Sequence, residues 1–482
     1  MTVLTVALPT LAGALRASES ELQWFVTAYT LALVAGMLPA GLLGDRYGRK
    51  AVMLGGLALI ALGSVGCAYA PNPIVFIAAR VTLGLAGAAL IVVALSLLTV
   101  LFDERERPRA IGVWGAANFI GLPVGPIFGG WLLSNAWWGW IFLVNVPVAV
   151  LAFLAVARLV PESRAPRAPR IDGMGIVLSS AGLVALMYGV VEAGSSGWAS
   201  SSAIWPAVAG LVLLVAFVAW ERRQSDPLVD LSLFQSRSFT WGIVCTALGA
   251  FGLFGVLFAL PQYFQAIAGL DPQGSGVRLL PAVVGLIVGA VPADRVASRI
   301  GAKLTVAVGF GAVVIGTLIG STLATTSSDA FIAGWTFLVG AGAGLGFATS
   351  ASAALAEVSA DRAGVGSALL QAVVKLGPAF GASILGSVLN ATYQQHLAVT
   401  GLPAAAAAAA KASVFGGIGV AQQLGSAGLL SSVRNAFVAG MDDGARVTAL
   451  VAFAAIVLAL LFLPARRGAR EASAVQQAGT AA

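Results

Sequence analysis

The chain has 482 residues, of which 59% are apolar and only 10% charged, against about 25% charged in an ordinary soluble domain. Such a chain cannot cover its own surface with polar groups and takes lipid as its solvent. That excludes a cytosolic enzyme, a disulfide-stapled secreted fold and a soluble nucleic-acid binder; Cys67 and Cys245 both lie in apolar stretches, away from any metal-ligand spacing.

A bilayer core about 30 Å thick takes about 20 apolar residues per helix. Taken in chain order, the sequence predicts fourteen helices, over 1–15, 22–43, 52–70, 74–101, 110–133, 140–159, 173–194, 203–220, 239–263, 276–293, 304–325, 331–356, 364–390 and 437–464. The charge-free stretch 110–157 is too long for one helix and breaks at 134–139. The first span is too short: fifteen residues cover only about 22 Å at 1.5 Å per residue. The expectation is that the natural first helix begins upstream of Met1. No cleavable signal peptide is visible.

Lysine and arginine orient the spans, because cytoplasmic loops retain them. Alternate loops hold Arg46, Arg49 and Lys50; Arg105, Arg107 and Arg109; Arg158, Arg164, Arg167 and Arg170; Arg222, Arg223 and Arg237; Arg295, Arg299 and Lys303; and Arg362. The tail adds Arg466, Arg467 and Arg470, so 20 of the 27 cations fall on one side. Both termini are therefore expected in the cytoplasm. Trp137, Trp138, Trp140, Trp198 and Trp205 cluster at the opposite interface, as an aromatic belt does. The net charge of +7 is thus a topology signal, and no nucleic-acid partner is expected.

The loop after the second span carries Gly41, Asp45, Arg46, Gly48, Arg49 and Lys50; the loop after the tenth carries Asp294, Arg295, Arg299, Gly301 and Lys303, with Asp294 placed 249 positions after Asp45. An Asp-Arg pair recurring with spaced cations at equivalent loops implies two six-helix bundles in parallel repeat, with two helices inserted between them. Expected units are a first bundle over 1–159, the inserted pair over 160–238, a second bundle over 239–464 with a long outer loop at 391–436, and a cytoplasmic tail at 465–482. Asp45 can accept from Arg46 or Arg49 and face the positive N-terminus of a neighbouring helix. Gly121, Gly125 and Gly129 sit four apart in the fifth span, a bare stripe that lets another helix approach, and Pro126 beside them can kink it.

Gly41 to Lys50 resembles the loop 2–3 signature of the major facilitator superfamily. Gly121, Gly125, Pro126, Gly129 and Gly130 resemble the antiporter motif of its exporters. Arg80, Gly84 and Gly87 are similar to its fourth-helix pattern, from which Leu83 and Ala86 depart. Stretches 140–147, 260–265 and 361–367 resemble the fourteen-helix drug:proton antiporters, and the likeness covers nearly the whole chain. It implies an all-α polytopic fold and proton-coupled efflux of lipophilic drugs by alternating access across the cytoplasmic membrane. It implies no enzyme activity and no cofactor beyond the proton gradient, in a protein working as a monomer. An exporter of an endogenous metabolite or lipid is the alternative, with a membrane sensor behind it. A pump is disfavoured by the absence of a phosphate-binding loop.

Ionisable residues inside the bilayer are functional candidates by default. Arg80 is one, with snorkelling to the outer interface as its bland reading. Lys375, in the middle of the thirteenth span, is the other; the subfamily's Arg-Gln pair falls at Val374 and Lys375. No carboxylate sits in mid-membrane, Glu192 and Glu357 being nearest, although proton coupling needs a titrating group there. The subfamily's first-helix Asp would fall just before Met1, which joins the missing acid to the short first span. If Met1 is the true start, Lys375 could itself carry the proton. The expected coupling and gating residues are Asp45, Arg46, Gly48, Arg49, Arg80, Gly121, Gly125, Pro126, Gly129, Gly130, Asp294, Arg295 and Lys375. A cavity for a small amphipathic, drug-like compound is expected from Tyr29, Trp114, Asn118, Phe251, Phe254, Phe258 and Gln371. Asn145 and Gln262 fit better as helix-end residues satisfying backbone. His396, the single histidine, is expected in the outer loop without a role.

Overall fold

Apolar runs of this length fold as helices because a helix satisfies every backbone polar group within its own segment, as lipid requires. The computed structural model describes residues 2–17, 19–103, 106–165, 171–224, 227–229, 231–356, 358 and 363–464. In chain order the helices are α1 (Thr2–Leu15), α2 (Glu19–Tyr47), α3 (Arg49–Ala68), α4 (Pro73–Leu101), α5 (Arg107–Asn135), α6 (Trp140–Leu143), α7 (Asn145–Leu159), α8 (Gly173–Ser196), α9 (Ser201–Glu221), α10 (Arg237–Ala266), α11 (Pro272–Arg278), α12 (Leu280–Ala290), α13 (Ala293–Ile300), α14 (Ala302–Gly320), α15 (Asp329–Leu355), α16 (Ala363–His396), α17 (Ala404–Ala412), α18 (Val414–Gln423) and α19 (Ala427–Phe462). There is no strand among the described residues. In their described residues, each of the fourteen expected spans falls mainly on helix, the sixth interrupted at Val144 and the tenth at Leu279 and again at Val291 and Pro292. Among the described residues, twelve helical stretches are long and apolar enough to cross a membrane. The 14-residue α1 is too short and α5 is not among the twelve, so the expected count of fourteen crossings is not reached by that measure.

The parallel repeat shows in how two helices are sandwiched. In the first half α4 lies between α2 and α3: a Cβ on Gly84 would strike the Tyr29 carbonyl, and one on Gly63 would strike Leu83. In the second half α15 takes the matching place between α12 and α14. A Cβ on Gly340 or Gly344 would strike the carbonyls of Ala282 and Leu286 in α12, and one on Gly342 the Gly309 carbonyl in α14. Two positions apart on a helix means about 200°, so this Gly-x-Gly-x-Gly run presents bare backbone to both neighbours at once.

The inserted pair α8–α9 packs outside the two halves, where α8 straddles α2 and α16. Ser180 donates to the Ala35 carbonyl of α2 at 2.8 Å. Ser383 of α16 donates to the Val190 carbonyl at 2.7 Å, and Trp198 donates to Ser387 at 3.0 Å.

The long outer loop is where the expectation over 391–436 needs correction. α16 runs on to His396 and α19 begins at Ala427, ten residues before the expected 437. Ser426 caps α19 by accepting from the Leu429 N–H at 3.2 Å. The segment between is packed: Tyr393 donates to the Ala410 carbonyl at 2.8 Å, and Val414 and Val420 join the core of the second half with Val433 and Phe437. His396 therefore ends a helix, with Nδ1 2.9 Å from the Thr392 carbonyl.

Candidate functional site

The two halves are fastened at the end that carries the basic loops. Asp45, in the last turn of α2, is 1% exposed. It accepts from Arg49 at 2.7 Å, from the Gly364 N–H at 2.9 Å and from the Val365 N–H at 3.1 Å. The last two are first-turn donors of α16, which have no partner within their own helix. A buried carboxylate is thus balanced by a guanidinium and by the positive end of a helix from the other half. The expected partner is resolved in favour of Arg49; Arg46 instead lies over the Tyr47 ring, 5.5 Å from its centroid. The helices approach closely enough that a Cβ on Gly41 would meet the Gly364 carbonyl at 2.6 Å, and one on Gly364 would meet Asp45 Oδ1 at 2.5 Å.

Arg49 is held from its far side as well. It is 1% exposed and donates from its side chain to Ser163 Oγ at 2.8 Å, while its backbone N–H donates to the Ser163 carbonyl at 2.7 Å. Glu162 accepts from the Lys50 N–H at 3.1 Å, and Lys50 Nζ reaches the Ala157 carbonyl at 2.7 Å. The segment after α7 therefore clasps the loop between α2 and α3. Gly48 turns this corner at φ +111°, and Gly301 turns the matching corner before α14 at φ +86°. Both angles disfavour residues with a Cβ, which explains a glycine in each copy. The copies then diverge. Residues Ala293 to Ile300 form the separate helix α13, and neither Asp294 nor Arg295 makes an ion pair with a described residue.

An apolar cluster at the same end closes the space between the halves. Leu95 of α4 and Ile111 of α5 pack with Phe239, Ile243, Leu355, Leu370 and Val374 of the second half, and Trp114 leans on this cluster. Trp114 is thus part of a floor rather than a cavity wall. α5 runs along α11, α12 and α15 of the second half, so the antiporter-like motif lies on the boundary between halves. Gly125 and Gly129 are buried. Among the described residues, a Cβ on Gly121 or Gly130 would meet nothing within 4 Å. The side chains of Asn118 and Pro126 lie outside the described part of the structure, as do Arg105, Glu357, Asp361, Arg362 and the tail cations.

Arg80 does not snorkel. Its Nε donates to the Phe25 carbonyl at 2.8 Å, its guanidinium lies over the Tyr29 ring 4.6 Å from the centroid, and Nη2 is buried with no partner among the described residues. Tyr29 is thereby engaged in the α2–α4 packing. Phe251 is buried where α10 meets α16, its carbonyl 2.7 Å from a Cβ built on Gly381. Phe254 packs on the core of the second half, and Phe258 is exposed beside Gly386. Among the described residues, Tyr29, Trp114, Phe251, Phe254 and Phe258 thus pack against different neighbours in this structure. A small apolar cavity lies instead inside the second half, between Gly255, Val256, Trp335, Leu385, Met441 and Thr448. Gln262 donates to the Phe258 carbonyl at 3.2 Å, as a backbone-satisfying residue does; Asn145 reaches Ser64 Oγ at 3.5 Å.

Gln371 and Lys375 stand one turn apart on α16. Gln371 is 3% exposed. Lys375 is half-buried and makes no ion pair with a described residue. Sequence reasoning missed Glu162, Ser163 and Gly364. The polar Glu162-Ser163 pair directly after an apolar span was the available signal for the first two.

Two repeated helical halves fastened across a common boundary, with most of the cations gathered at one end, define a polytopic membrane carrier. The family model of the Major Facilitator Superfamily matches residues 1–382. The chain is 34% identical to the multidrug resistance protein Stp of Mycobacterium tuberculosis, over 82% of this chain and 74% of that protein. It is 32% identical to the tetracenomycin C resistance and export protein of Streptomyces glaucescens, over 95% of this chain and 88% of that one. The fold matches the crystal structure of the human organic anion transporter MFSD10 at TM-score 0.58 and 16% identity, over 93% of this chain and 89% of that chain. The chain belongs to the Major Facilitator Superfamily.

Proposed function

We propose that the protein exports lipophilic, antibiotic-like compounds across the cytoplasmic membrane by alternating access, driven by protons moving inward. It is read as a carrier rather than an enzyme, working as a monomer of the fourteen-helix drug:proton antiporter type with both termini in the cytoplasm. The observation that carries this reading is the Asp45–Arg49 pair seated on the first turn of α16. It joins the halves through a few polar contacts that a rocking movement can break and remake without disturbing either core. The names of the similar proteins, one a multidrug resistance protein and one an antibiotic resistance and export protein, support the substrate class.

In this reading Asp45, Arg46, Gly48 and Arg49 form the latch at the cytoplasmic end, and Asp294 and Arg295 are its counterpart in the second half. Gly121, Gly125, Pro126, Gly129 and Gly130 form the seam along which α5 moves. Arg80 braces α4 against α2, and Lys375 is the fixed charge between the halves. The compound is held among Tyr29, Trp114, Asn118, Phe251, Phe254, Phe258 and Gln371 once the halves part. Export of an endogenous metabolite is the second reading, favoured by the similarity to a tetracenomycin C export protein. The test is accumulation of a neutral lipophilic dye in a bacterial host lacking its own efflux pumps. Cells making the wild-type chain retain less dye than cells making Asp45→Asn at equal membrane abundance; equal retention by both contradicts the proposal.

A further inference from the structure

Lys375 lies about 18 Å along α16 from its first residue, roughly half-way through a bilayer core. Gly364, Ala368, Gln371 and Lys375 follow one another at helical spacing on one face. That face is turned to the first half, because Gly364 and Ala368 both press on Gly41 of α2. From the Gly41–Gly364 contact the two helices run in opposite directions, so eleven positions along each bring Lys375 level with Thr30, beside Tyr29. On one side of Lys375, Leu370 and Val374 belong to the cluster that floors the cleft. On the other side Ala368 and Ala372 belong to the cluster shared with α2, α4 and α8. The ammonium therefore issues between two apolar clusters, just above the closed floor and facing the opposite half.

A charge in that place needs an anion. No described carboxylate pairs with Lys375. Along α2 the described acids are Glu21 and Asp45, nine and fifteen positions from Thr30; Glu21 lies toward the opposite end of the helix, and Asp45 is already saturated by Arg49 and the first turn of α16. The other charge at this height in the first half is Arg80, a second cation.

We infer that Lys375 is the counter-ion site for the transported compound, and that the preferred compounds are amphiphiles bearing a single negative charge such as a carboxylate. Gln371, one turn below, supplies the amide that orients the anionic group, and the flanking clusters take the apolar body. The inference rests on the drug-export reading and narrows its substrate class. It gives the lysine a role as a fixed positive charge, in place of the proton-carrying role it would take if Met1 were the true start.

The test uses three pyrene derivatives with the same butyl arm, ending in a carboxylate, a primary amide or a trimethylammonium. Binding to the full chain in lipid nanodiscs is read by energy transfer from protein tryptophan to pyrene, with empty nanodiscs as blank. Because hydrogen bonds to charged groups are the stronger ones, the wild-type chain should bind the carboxylate at least about tenfold tighter than the amide. The trimethylammonium binds weakest. Lys375→Met brings the carboxylate-to-amide ratio to about one, and Lys375→Arg keeps the preference. Lys375→Gln repeats the measurement where the methionine variant does not fold. A wild-type ratio near one, or a ratio that survives loss of the lysine charge, overturns the anion assignment and leaves drug export standing. Binding of none of the three probes overturns both.

Discussion

Asp45→Asn isolates the latch between the halves, since it keeps the shape of the side chain and removes its charge. The carboxylate accepts three hydrogen bonds at 2.7, 2.9 and 3.1 Å. An asparagine has one acceptor oxygen, so at least one α16 N–H or the guanidinium loses its partner. Each hydrogen bond to a charged group contributes about 1.5–3 kcal/mol, and Arg49 is left as a buried charge without its anion. A net loss of about 3 kcal/mol shifts the balance between closed and open states by about two powers of ten. The change is read by electron–electron distance measurements in nanodiscs, with spin labels at Tyr47 and Ile300, both exposed at this end on opposite halves. The wild-type pair gives one short distance; Asp45→Asn gives a second, longer population of comparable weight. Gly364→Ala drives a methyl into Asp45 and Gly41 and should open the same end with every charge in place. An unchanged distance distribution in both variants refutes the latch.

Gly125→Leu, at a buried position of the α5 boundary, should abolish dye efflux while membrane abundance stays at wild-type level. Gly121→Ala adds only a methyl at the exposed end of the seam, where it meets no described atom within 4 Å, and should reduce efflux less than Gly125→Leu; the reverse pattern sinks the seam. Arg80→Ala removes the bond to the Phe25 carbonyl and the stacking on Tyr29, which should cost about 2 kcal/mol and lower the thermal midpoint in detergent by several degrees. Arg80→Lys should recover only part of that loss, because an ammonium cannot reproduce the planar contact. Gly285→Val forces its side chain against the Phe337 carbonyl; separating α12 from α15 should cost about 1–3 kcal/mol, seen as a lower midpoint, and an unchanged midpoint contradicts the packing argument.

The spans were legible because lipid imposes one rule on each of them and because most of the cations fall between them. Asp45 was legible as one end of a contact with a helix N-terminus. Its other end at Gly364 was not, since a pairing 319 residues apart in sequence carries no local signal. The start of α19 was misjudged because Ser431, Ser432, Arg434 and Asn435 read as a polar loop, while the helix carries Ser431 and Asn435 on an exposed face and uses Ser432 to accept from the Ala398 N–H at 2.9 Å. Phe254 and Trp114 were expected in a cavity because they are aromatic and lie on the right spans. Which way each turns depends on packing between the halves, and periodicity within one helix does not encode that. The Gly340 to Gly346 run was visible in sequence, but its meaning needed α15 to be seen between two neighbours.

The central claim is proton-driven export, and reconstituted protein tests it directly. Purified chain in proteoliposomes, with the pyrene carboxylate and a neutral antibiotic as separate substrates, is assayed with and without an imposed pH gradient. Substrate movement that appears with the gradient, runs opposite to the proton flow and collapses when a protonophore is added is the predicted result. Transport that is indifferent to the gradient, or no transport of either compound by well-folded protein, contradicts it.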